Sequence, residues 1–176
     1  MTAVGPAAGA APGVAPGSPD PRWVAFVSGA DAIGTLTALT GVFSTRGVSF
    51  DSLTTGDVAD GVGLIVVTFT ASERRQRLLT RTVRRLAAVR AAEVRAVDDP
   101  AVRAAAVVHL PRAAGSFVPP DDAAVRWSGD PAAGQPLLVE GPLPDVERVV
   151  AAARSRGADS AATVVLPLPA AEFTEP

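Results

Sequence analysis

Apolar residues run through Trp23-Val-Ala-Phe-Val27, break at Gly29-Ala-Asp31-Ala-Ile-Gly34, and resume with a different period. Ile33, Leu36, Leu39, Thr40 and Phe43 fall at i, i+3, i+6, i+7 and i+10. At about 100° per residue that spacing predicts one buried stripe of a helix. A strand, a Gly turn and a helix are expected in that order. Gly47 stops the helix, with Arg46 in its last turn, where a cation suits the helix dipole. Val48, Phe50 and Leu53 open a second strand over 48–56, and the Gly/Asp-rich stretch Gly56 to Gly63 is a turn. Val62-Gly-Leu-Ile-Val-Val-Thr-Phe-Thr70, β-branched and aromatic, predicts a third strand that pairs with the second as a hairpin. Ser72 is placed as the N-cap of a second helix, with Glu73 in its first turn. Leu78, Leu79, Thr82, Val83 and Leu86 form its buried stripe. Glu93-Val-Arg-Ala-Val97 is a fourth strand, ended by Asp98-Asp-Pro100. The order βαββαβ predicts an α+β domain over residues 22–98: a ferredoxin-like antiparallel sheet with both helices on one face.

Residues 101–168 read as a smaller α+β domain. Val102 to Leu110 is strand-like. Pro111 to Asp122 is a loop, because Pro111, Pro119 and Pro120 deny it a helix. Ala124-Val-Arg-Trp127 and Pro136-Leu-Leu-Val-Glu140 are short strands. Pro144 to Arg154 is a helix with Pro at its start and Gly157 beyond its end. Ala161 to Leu166 is a last strand. The order copies the first unit with its first helix missing, so a degenerate second copy is expected, with an unrelated extension as the alternative. Residues 1–21, rich in Ala, Gly and Pro, are expected to be a disordered tail, and 169–176 a loose one.

Composition narrows the chemistry. The 176 residues carry a net charge of −2, which gives no overall pull toward nucleic acid or membrane. There is no Cys and no Lys; all 16 basic residues are Arg. That removes thiolate catalysis, sulfur metal clusters, Schiff-base lysines and the P-loop. The single histidine, His109, lies in an apolar strand, where a packed or edge role outweighs a catalytic one. Asp57, Asp60, Asp98-Asp99 and Asp121-Asp122 fall in turns that favour Asp for its backbone bonds, not at ligand spacing. No metal or cofactor is expected. Eight of the 16 Arg lie between residues 74 and 95. They spread around the non-core arc of the second helix without interleaved aromatics, so a solvated face, or one touching an acidic partner, is expected over a nucleic-acid face. No apolar run reaches the ~18 residues of a membrane span. Met1 to Pro21 has neither signal- nor transit-peptide character, and a cytoplasmic protein is expected.

The turn after the first strand holds the candidate chemistry. Gly34 and the N–H groups of Thr35 and Leu36 at the helix start favour an anion, and Asp31 can hold an ammonium group. Together they suit a zwitterion. The alternative is structural: Asp31 caps the helix and Gly34 only permits the turn.

Asp31-x-x-Gly34-x-Leu36, followed by Gly41-Val-Phe43-Ser-x-Arg46-Gly47-x-x-Phe50-Asp51-Ser52-Leu53-Thr54, resembles the ACT domain of the acetolactate synthase small (regulatory) subunit. The resemblance covers residues 22 to about 110. Asp31 and Ser49 stand where that family carries Asn. The resemblance implies a homodimer through the ACT domain, with an amino acid such as valine bound at its interface. Asp31, Ile33, Gly34, Thr35, Leu36, Ser49 and Phe50 are the implied ligand-binding residues. It also implies a non-catalytic subunit that modulates a large, thiamine-diphosphate-dependent synthase subunit of branched-chain amino acid biosynthesis. A stand-alone ACT sensor, or a structural dimerisation module without a synthase partner, is the second reading.

Overall fold

The computed structural model describes residues 19–29, 32–58 and 62–168. Residues 1–18 of the expected tail over 1–21, the expected tail over 169–176, Asp31, and Asp60 in the middle of its expected turn lie outside the described residues. In chain order the elements are β1 (Arg22–Gly29), α1 (Ala32–Thr45), β2 (Phe50–Val58), β3 (Val62–Thr70), α2 (Glu73–Val83) and β4 (Val89–Ala96). There follow β5 (Arg103–His109), β6 (Arg126–Ser128), β7 (Leu137–Pro142), α3 (Leu143–Ser155) and β8 (Ser160–Val165).

The strands form two antiparallel sheets, ordered β2-β3-β1-β4 and β6-β7-β5-β8. The orders match once β5, β6, β7 and β8 stand for β1, β2, β3 and β4. The second half therefore repeats the first with α3 in the place of α2 and no helix in the place of α1. Where that helix would fall, the chain makes one 3₁₀ turn at Arg112–Ala114 and buries Phe117. The architecture is a tandem ferredoxin-like α+β fold, as expected.

β1 and β3 are apolar at successive positions because both faces of the first sheet are buried. Ala25, Val27, Ile65, Val67 and Phe69 face α1 and α2 and pack with Leu39, Phe43 and Leu79. Val24, Phe26, Leu64 and Val66 belong to a different core, which they share with Leu137, Leu143, Val146 and Val149 of the second half. α3 packs on β5, β7 and β8. Four layers result: helices, first sheet, α3, second sheet. Arg22 of β1 adds a two-pronged bridge to Glu147 of α3 at 2.8 and 2.9 Å.

Several boundaries and faces differ from expectation. β2 begins at Phe50 and continues past Gly56, and β4 begins four residues earlier than Glu93. α2 ends at Val83, because Arg85 and Leu86 turn back onto the carbonyls of Thr82 and Val83 in a tight closing turn. Leu78 is exposed, with Leu79 and Val83 alone buried on that helix. Arg46 follows the last residue of α1 instead of lying within it. Gly47 ends the helix as expected, at φ +62°, with Val48 N–H donating to the Phe43 carbonyl and Gly47 N–H to that of Ser44. That pair of bonds is the Schellman arrangement, which favours a residue without Cβ.

Candidate functional site

The start of α1 is held from below. Thr35 is buried, and its hydroxyl donates to the Ala88 carbonyl at 3.1 Å, tying the first turn of α1 to the entry of β4. Gly29 makes room for this contact. A Cβ at that position would stand 2.1 Å from Thr35 Oγ1 and 2.5 Å from the Ala88 oxygen. These contacts turn α1 so that Thr35, Leu39 and Val42 face the core. Ile33, roughly 120° around the helix from Leu39, is left 77% exposed instead of lying on the buried stripe. Gly34 is half-buried in the first turn, and Leu36, also half-buried, begins the second.

Ser49 and Phe50 lie beyond the other end of α1. Ser49 is exposed. Phe50 is half-buried, its ring centroid 4.6 Å from that of Phe43, which also meets Phe69 at 5.2 Å. At 1.5 Å per residue, α1 separates Gly34 from its C-terminal end by roughly 17 Å. One chain therefore does not bring Gly34 and Ser49 to one small ligand. The expected residues that are described fall into two separate groups: Ile33, Gly34, Thr35 and Leu36 at the start of α1, and Ser49 with Phe50 at the entry to the edge strand β2.

Cavities among the described residues lie elsewhere. One, of about 130 Å³, sits between the halves and is lined by Arg22, Asp51, Ser52, Thr68, Glu147 and Thr163 among others. Hydrogen bonding to Glu147 raises the Arg22 pKa above its ordinary value, so its charge is secure. Asp51, 3.6 Å from Arg22, accepts from Thr70, and Ser52 and Thr68 share a hydrogen bond of 2.7 Å. Nothing local in the sequence announces this cluster, because its members meet only when the halves dock. Another cavity, about 380 Å³, is an open groove over β5, β6 and β7, with Val107, Leu138, Arg126 and Glu140 in its lining. Glu140 accepts from Arg103 at 2.6 Å and from Arg126. These bonds, Arg103's first, hold its carboxyl below the ordinary range. On α3, Asp145 is likewise held low by Arg148 at 2.7 Å.

His109 is exposed at the end of β5, and its carbonyl accepts from Asp159 N–H. Among the described residues no three His, Asp or Glu side chains gather as a metal-binding set. Among the same residues no helix is long and apolar enough to cross a membrane.

No family model matches the sequence. No curated protein matches it either. Solved structures do. The acetolactate synthase small subunit from Thermotoga maritima superposes with a TM-score of 0.56 at 13% identity, covering 82% of this chain and 93% of that one. A protein of unknown function from Galdieria sulphuraria covers 84% of this chain and 99% of its own at 16% identity, with a TM-score of 0.39. The ligand-free regulatory subunit of aspartate kinase from Thermus thermophilus covers 79% and 91% at 13% identity, with a TM-score of 0.40. The first overlay shows that this chain shares the fold of that small subunit. The other two are loose.

Proposed function

We propose that the chain is a non-catalytic regulatory protein resembling the acetolactate synthase small subunit. It pairs with a second copy through residues 22–98, binds a small amino acid such as valine, and modulates a catalytic synthase subunit of branched-chain amino acid biosynthesis. The observation that carries this reading is the superposition on the Thermotoga maritima small subunit across 82% of this chain. The placement of the two groups supports the pairing, since two copies can bring Gly34 of one against Ser49 and Phe50 of the other. Amide groups at the start of α1 attract a carboxylate, and Asp31 attracts an ammonium. The ligand then favours one arrangement of the pair, and the catalytic partner responds to that arrangement.

Calorimetry with valine, leucine and isoleucine tests the ligand. Binding is expected with at least one of them, and Gly34→Asp is expected to abolish it by placing a second negative charge at the carboxylate end. A flat titration with all three would leave the turn a structural role only. Asp31 and Ser49, at positions where the small-subunit pattern carries Asn, favour a second reading: an ACT sensor without a synthase partner. Co-purification with the large thiamine-diphosphate subunit separates the two.

A further inference from the structure

α2 carries more charge than its fold requires. Residues 73–90 hold seven Arg and one acid, in a chain whose net charge is −2. Arg74, Leu78, Arg81 and Arg85 fall at i, i+4, i+7 and i+11, with Arg85 in the turn that closes the helix. At 100° per residue these four share a narrow stripe on the side of the helix away from Leu79 and Val83. All four are exposed, Leu78 by 45%. Among the described residues Arg77 alone of the α2 arginines is ion-paired, with Glu73 at 3.2 Å. Arg84 donates instead to the Ala92 carbonyl and stitches α2 to β4. Among the described residues, Arg74, Arg81 and Arg85 thus meet no carboxylate.

We infer that this stripe is a docking surface for an acidic face of another protein, and, resting on the regulatory reading above, that the catalytic synthase subunit presents that face. A row of unpaired Arg around an exposed Leu fits the anatomy of a protein interface, in which guanidinium groups surround an apolar contact. The Leu argues against a nucleic-acid backbone, which offers phosphates along its length and nothing for an apolar side chain at the centre.

The test uses the full chain, Arg74→Glu/Arg81→Glu and Leu78→Ser, each checked for an unchanged fold by circular dichroism and thermal unfolding. Fluorescence anisotropy reports binding to poly-L-glutamate and to duplex DNA at about 50 and about 300 mM salt. The native chain is expected to bind poly-L-glutamate more tightly than DNA. Raising the salt should weaken that binding, and the double reversal should weaken it by at least about tenfold. Equal binding by the reversal variant, absent binding by the native chain, or tighter binding to DNA would overturn the surface. The same proteins are then titrated with the catalytic synthase subunit from the same source. Loss of association in the reversal variant, with a smaller salt-independent loss in Leu78→Ser, is expected. If the native chain binds poly-L-glutamate but not the synthase subunit, the surface stands and the regulatory reading loses its partner. If all variants bind the synthase subunit equally, the regulatory reading keeps its partner and the surface is refuted.

Discussion

The two halves share a sheet order and differ in what covers the sheets. The first sheet is covered twice, by α1 and α2 on one face and by the second half on the other. The second sheet is covered once, by α3 and the shared core. Its free face leaves Val107, Leu138 and Val164 between 39% and 47% exposed. The strands record the difference. β3 is buried at seven successive residues, whereas β5 and β7 alternate between covered and open positions. A sheet buried on both faces needs apolar residues at every step, and a sheet buried on one face needs them at every second step. The same topology is therefore compatible with two quite different sequence patterns, set by the neighbours of each sheet.

The largest break in that comparison is expected at Phe26, fully buried in the core common to both halves. Phe26→Ala should cost about 3–5 kcal/mol, read by chemical denaturation. A single transition should shift as a whole. Two transitions, with the second half unmoved, would show that the shared core does not couple them.

Gly29→Ala comes next. Its Cβ would overlap Thr35 and the Ala88 backbone, an overpacking expected to cost about 1–3 kcal/mol. On the proposed regulatory reading, amino-acid binding should weaken with stability, because the strain falls at the start of α1. Unchanged stability would mean that the Thr35–Ala88 contact opens freely.

Acid should act most on the second half. Glu140 and Asp145 are held below the ordinary carboxylate range by their Arg partners. A carboxyl with a lowered folded pKa stabilises fully above its unfolded value and loses that contribution as pH falls through the folded one. Stability should hold at neutral pH and fall below about pH 4. Glu140→Gln should flatten that fall slightly.

The smallest effect is expected on the free face. Leu138→Ser should change stability by no more than about 0.5 kcal/mol. A larger loss would show that something covers Leu138 in solution.

How much of this was legible depended on how local the cause was. β3 matches its expected span, Val62 to Thr70, because it is apolar throughout and turn residues precede it. Gly47 was legible because a left-handed helix stop favours glycine. Ile33 and Leu78 were not. Each sits beside a residue that competes for the core, Thr35 or Leu79, and the choice is made by distant contacts. Thr35 is turned inward by a carbonyl 53 residues away, which no window of sequence contains. The candidate site was legible as residue types and not as a place: Gly34 and Ser49 belong to one motif, but α1 holds them apart. The alternating partition of Val24, Ala25, Phe26 and Val27 between two cores was hinted at by their unbroken apolar run, a sign that the helix-free face is also covered.

The shared core also bears on how the chain is made. β1 to β4 leave the ribosome before α3 and β8, the elements that help close over Val24, Phe26, Leu64 and Val66. At about 5–20 residues per second, the interval from Val97 to Val165 lasts from a few to about fifteen seconds. During that time the nascent first sheet presents a sticky apolar face. Synthesis rate and chaperone supply, as much as final stability, then set how much of the protein a cell recovers.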